Sequence, residues 1–154
     1  MLWRQPYAPR QLEGVTLPKC LSRRLDKTEF QAKTYVIYGG FSLDAVADIG
    51  IWERLLNEEF PEDVRIVRAY IRESWTSKEI KNATAMVPPS FLPRTVLIYD
   101  ALGEWANLVQ PESTTRGFAA IIRNSIIELL FVGPPTEETW DDFRLRWQSA
   151  RTEV

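Results

Sequence analysis

Three groups of residues have types and spacing that could do chemistry. The first is Gly39, Gly40, Phe41, Ser42, Leu43 and Asp44, which joins an apolar run to a helical pattern. A hydroxyl and a carboxylate at such a junction suggest a nucleophile turn or a phosphate cradle. Ser42 has no histidine to take its proton, because the chain contains none, and the stretch lacks the lysine and glycine spacing of a phosphate loop. Capping of the following helix accounts for Ser42. The second group is Glu137, Glu138, Asp141 and Asp142. These acids lack the loop spacing of a calcium site and suit the first turn of a helix. The third is Arg65, Arg68 and Arg72, which suit either an anion or acidic partners on the same surface.

Absences narrow the chemistry further. Without histidine, Ser-His-Asp and Cys-His catalysis and histidine-ligated metal are excluded within the chain. Cys20 is the single cysteine, so no internal disulfide and no CxxC pair can form. It reads as a small buried hydrophobe and fits a reducing intracellular compartment, cytoplasm or organelle matrix. No residue set calls for a metal or an organic cofactor.

The elements that must position these groups follow from composition and pattern. A hydrophobic content of 45% over 154 residues supports one full core. A net charge of -2 argues against a nucleic-acid partner. The longest apolar stretch, FAAIIRNSIIELLFV, is broken by Arg123, Asn124 and Glu128, so no membrane span is expected. Residues 1–32 form an extended arm with Pro6, Pro9 and Pro18; its Arg-rich start leaves an import segment open. TYVIY, ended by Gly39 and Gly40, predicts a strand buried on both faces. Ala45, Ile49, Trp52, Leu56 and Phe60 predict a helix ended by Pro61, with Gly50 allowing close packing. VRIVRAYI predicts an edge strand, TSKEIKNATAM a short helix, and RTVLIYD a central strand. Gly103 suggests a hairpin to a fourth strand, EWANLV. Phe118, Ile121, Ile122, Ile126, Leu129 and Leu130 predict a helix capped by Ser113 or Thr114. Residues 133–154 predict a terminal helix on which Trp140, Phe143 and Trp147 share one face.

Over roughly residues 33 to 131 this order resembles the thioredoxin-like fold: an α/β mixed sheet of about four strands flanked by helices, here with an N-terminal arm and an extra C-terminal helix. YVIYGGFSLDAV is similar to the first core strand and the redox turn of that superfamily. FLPRTVLIYDALGEW is similar to the stretch where a cis-proline precedes a strand and hairpin, with Pro93 as that proline. EEFPEDVRIVRAYIRESW looks like the helix end and second strand. There is also similarity to deiodinase-like and mitochondrial ATPase-assembly-factor-like members. The resemblance implies that Gly40, Phe41, Ser42, Leu43 and Pro93 form a vestigial redox turn, with a cis Leu92–Pro93 bond beside it. Redox members carry cysteine or selenocysteine in that turn. Neither is present, and a serine hydroxyl does not ionise near neutral pH as a thiol does.

Two functions remain open. One is a redox-inactive binding module, a subunit or assembly factor that contacts other protein subunits through Trp3, Trp140, Phe143 and Trp147. The other is an enzyme or small-ligand-binding protein using a cleft near Ser42, Asp44 and Pro93.

Overall fold

The structure, a computed structural model, describes residues 10–26, 33–41, 46–109 and 116–152. Eight strands occur among them: β1 (Arg10–Leu12), β2 (Val15–Thr16), β3 (Leu21–Arg24), β4 (Thr34–Gly40), β5 (Ile66–Arg72), β6 (Thr95–Tyr99), β7 (Phe118–Arg123) and β8 (Ile126–Val132). Four α-helices join them: α1 (Val46–Glu59), α2 (Ser77–Met86), α3 (Glu104–Val109) and α4 (Glu137–Thr152). A 3-10 helix, Pro89–Arg94, precedes β6.

All eight strands lie in one sheet of order β1-β8-β7-β4-β5-β6-β3, with β2 also on β8. β4, β5 and β6 run parallel; β7 is antiparallel to β4 and β8 to β7. β4 is central and, after Thr34, wholly buried, as its unbroken apolar run requires. One sheet face packs Tyr35, Ile37, Val67, Ile71, Phe118 and Ile122 under Trp105 and Val109 of α3. Leu12, Val15, Leu17 and Cys20 lie against the same face, so the N-terminal segment covers it on its way from the β8 edge to the β6 edge. The other face packs Val36, Tyr38, Ile66, Ile121 and Leu129 under α1 and α4. Beside them, Leu97 meets Ile80 and Ala83 of α2, and Phe91 and Leu92 of the 3-10 helix.

Several expectations are corrected. The sheet has eight strands where about four are expected: the arm contributes β1, β2 and β3, and β7 and β8 take the place of EWANLV. Residues 118–130 are a hairpin, not a helix. Asn124 and Ser125 form its two-residue turn with φ of 49° and 66°, the left-handed pair that such tight hairpins use. A strand buried on both faces has no alternation, so helical spacing fits it by coincidence. EWANLV is α3, not a strand: the Asp100 carboxylate accepts N–H bonds from Trp105 and Ala106 and so caps the helix. β5 is internal, not an edge. Its Arg68 is neutralised by Glu53 of α1, donates to the Tyr70 hydroxyl at 3.4 Å, and lies 4.8 Å from the centre of the Phe91 ring. Gly50 is exposed, with open space where a Cβ would stand, so close packing does not explain it.

The terminal aromatic stripe is also corrected. Phe143 and Trp147 are fully buried against the sheet and Trp140 is half-buried, 6.3 Å from the Trp52 ring. Trp52 and Phe143 rings lie 5.1 Å apart, and Arg65 stacks over Trp147 at 5.1 Å. Asp63 and Arg151 add an ion pair between the α1–β5 loop and the end of α4. Phe143 and Trp147 belong to the chain's own core and are not free to anchor a partner; Trp140 is partly exposed beside them. Trp147→Ala is therefore expected to lower folding stability by about 3–5 kcal/mol, the usual loss for a buried large-to-small change. Urea unfolding followed by circular dichroism checks it; a loss under about 1 kcal/mol, typical of a surface site, contradicts the packing.

Candidate functional site

The carboxyl ends of β4, β5 and β6 lie together, where open α/β sheets bind ligands. The backbone there is drawn tight by residues without side chains. A Cβ on Gly39 would stand 1.8 Å from the Ala69 carbonyl oxygen, so no other residue fits this strand position. Gly117, just before β7, is closed in similarly: its Cβ would stand 2.9 Å from the Asp48 Cβ and 3.2 Å from the Gly39 oxygen. Gly117 donates its N–H to the Asp48 carboxylate at 3.0 Å, and Arg116 pairs with that carboxylate at 3.7 Å. Asp48 is buried in the first turn of α1, where the helix dipole favours a negative charge. Trp52 then donates to the Gly133 carbonyl at 2.9 Å, and Gly133 donates to the Gly117 carbonyl at 2.7 Å. Helix α1 and the hairpin are thus joined by a carboxylate and an indole.

Beside this junction lies a cleft of two lobes. The polar lobe, about 360 Å³, is lined by Phe41, Ile71, Arg72, Glu73, Ser74, Glu79, Asp100, Gly103 and Ala106. The apolar lobe, about 470 Å³, shares Phe41, Ile71, Arg72 and Glu79 and adds Tyr70, Trp75, Asn82, Ala83, Met86 and Val87. Phe41 forms the common wall, seated on the Phe118 ring at 6.3 Å. Trp75 is fixed by its indole N–H, which donates to the Ile98 carbonyl at 3.0 Å. Arg72 pairs with Glu79 at 2.6 Å and lies 5.5 Å from the centre of the Trp75 ring. Thr76 caps α2 reciprocally with Glu79. Hydrogen bonds from the Thr76 backbone N–H, then its hydroxyl, hold the Glu79 carboxyl below its usual range, and Arg72 adds to this.

Cys20 stands behind the polar lobe. Its Sγ lies 3.8 Å from Asp100 Oδ1, the carboxylate that caps α3. Burial first, then the charge of Asp100, pushes the thiol up to about 11. A thiol in that setting stays protonated and is a poor nucleophile.

Of the predicted redox turn, Gly40 is the last residue of β4, and Phe41 lines the cleft. Ser42, Leu43 and Asp44, like Trp3, lie outside the described residues. Pro93 is corrected. It is exposed, sits in the 3-10 helix packed on β3, β5 and β6, and lines neither lobe. No described peptide bond is cis, so Leu92–Pro93 is trans. The strand after Pro93 is β6, parallel to β5, whereas the hairpin is β7–β8, entered through Gly117. Of the residues that build the junction and cleft, Arg72 is one that the sequence singles out, with Arg65 and Arg68; Asp48, Trp75, Glu79 and Met86 are not. For Asp48 a signal existed: an acid four residues before Trp52 falls on the apolar face of α1. For α2 it was Thr76 followed three residues later by Glu79.

No family model matches the sequence, and no curated protein matches it. Solved structures do. BsSco, a member of the Sco family of cytochrome c oxidase assembly proteins, aligns with a TM-score of 0.59 at 12% identity, over 94% of this chain and 98% of that one. A thiol peroxidase from Chromobacterium violaceum gives 0.56 at 13%, over 93% and 89%. A thio-disulfide isomerase from Thermus thermophilus gives 0.55 at 14%, over 88% and 96%. The fold is thioredoxin-like. At these identities the likeness is one of fold. On this thioredoxin-like frame, β4–α1–β5 supplies the parallel half and β7–β8–α4 the antiparallel half.

The setting of Cys20 predicts its reactivity. A thiol raised to about 11 is mostly neutral at lower pH, so iodoacetamide labelling should keep accelerating up to about pH 11. Labelling rates measured from pH 7 to 11 by mass spectrometry check this; a plateau near pH 8.5, the value of a free cysteine, contradicts it.

Proposed function

We propose that this thioredoxin-like chain is redox-inactive and works as a protein-binding module, a subunit or assembly factor of a larger complex. The observation that supports this is the chemistry of the cleft at the strand ends. Its described walls offer aromatic and apolar surface, one ion pair and hydrogen-bonding groups, and no thiol. The chain's only sulfhydryl lies beside a carboxylate that opposes its ionisation. Thiol–disulfide exchange needs a thiolate to attack and a second thiol to resolve the mixed disulfide, and a single raised thiol supplies neither. Phe143 and Trp147 of α4 are core and offer no surface to a partner. The interacting surface is then the cleft and its rim, where Met86 is 70% exposed. Among the described residues, no helix is long and apolar enough to cross a membrane.

A second reading, a small-ligand site, draws on the polar lobe beside Arg72. Affinity purification from the native source with wild type and Cys20→Ser, alongside an insulin-reduction assay, tests the proposal. The expected result is one set of retained proteins for both chains and no reduction above the protein-free control. Reduction by wild type, or retention lost in Cys20→Ser, overturns it. A bound small molecule with no retained protein favours the second reading.

A further inference from the structure

The cleft is asymmetric in a way that selects a ligand. In α2, Glu79, Asn82, Ala83 and Met86 recur at i, i+3, i+4 and i+7, so one stripe of the helix lines the apolar lobe. No residue of α2 is fully buried, and Met86 at its end is 70% exposed. The stripe lines a hollow with Tyr70 and Trp75; Ala83 is anchored at its inner side on the Leu97 cluster, and Met86 stays exposed at the outer end. The adjoining lobe carries three carboxylates, Glu73, Glu79 and Asp100, against one guanidinium, Arg72. Arg72 is already engaged by Glu79 and Trp75, and Asp100 by the α3 N–H groups and Cys20. Glu73 stands exposed at the rim. The excess of negative charge next to an apolar trough fits a cation joined to an apolar group.

We propose that the cleft takes a peptide segment of a partner protein in which an apolar side chain adjoins a lysine or arginine. The apolar side chain enters between Met86 and Trp75, and the cation meets Glu73 at the mouth of the polar lobe. Two contiguous lobes of different character suit neighbouring side chains of one chain. The charge balance disfavours an acidic or phosphorylated segment. The inference rests on the protein-binding reading and names the partner's chemistry.

The test uses the full chain and a positional-scanning library of fluorescein-labelled, end-blocked decapeptides, read by fluorescence anisotropy. The expected selection is an apolar residue next to lysine or arginine, with affinity that weakens as salt rises. Glu73→Lys, at an exposed position, should weaken the selected peptide about fivefold to tenfold. Met86→Ser should weaken it about threefold or more, with the cation preference retained. Selection of acidic peptides overturns the charge assignment. Equal binding by wild type and both variants overturns the location. If no peptide is selected while the proteins retained from the native source remain bound to both variants, this inference fails and the protein-binding reading stands. If no peptide is selected and wild type retains no protein from the native source either, both fall.

Discussion

The structure depends on how closely the backbone approaches itself at the carboxyl end of the central strand. Gly39 touches Ala69 of the neighbouring strand, and Gly117 touches Gly39 and the first turn of α1, with no room for a Cβ at either place. The Asp48 carboxylate satisfies the Gly117 N–H at the point of contact, so a charge is buried with its partners. Losing that acceptor would leave a buried N–H without a bond, a cost of about 1–3 kcal/mol. Because Trp52 and Gly133 continue the same chain of contacts, the start of α1, the hairpin and the approach to α4 are set by one cluster.

That closeness decides what the site offers. The strand ends between α1 and the hairpin are filled by glycine backbone and a carboxylate, and open space occurs on the other side, between α2, β5 and α3. There the polar groups are largely spoken for: Asp100 holds α3, and Glu79 holds both α2 and Arg72. What remains to act on a partner is aromatic and apolar surface with an acidic margin. On the proposed reading, such a surface serves recognition. The fold is shared with solved structures named for thiol chemistry, while this chain carries a single cysteine, Cys20.

Legibility varied with the physics of each segment. β4 and α1 were plain because an unbroken apolar run and a steady helical spacing each have one good reading. The β7–β8 hairpin was not, since Phe118, Ile121 and Ile122 sit where burial on both faces erases alternation. The arm looked detached because its three strands are only two to four residues long. Arg68 disguised an internal strand as an edge, since its neutralising Glu53 comes from another element. Pro93 drew the redox-turn comparison to β6, which runs parallel to β5, whereas the hairpin is β7–β8. The α4 aromatics could be assigned to core or surface only once the sheet they cover was known.

The central claim is that partners engage the cleft at the strand ends. Hydrogen–deuterium exchange of the chain, alone and with the proteins retained from its native source, tests it most directly. Binding at the cleft predicts new protection concentrated in residues 70–86, covering the end of β5 and all of α2, with β1 and β8 unchanged. Protection confined to the β1–β8 edge, or to α4, would contradict it.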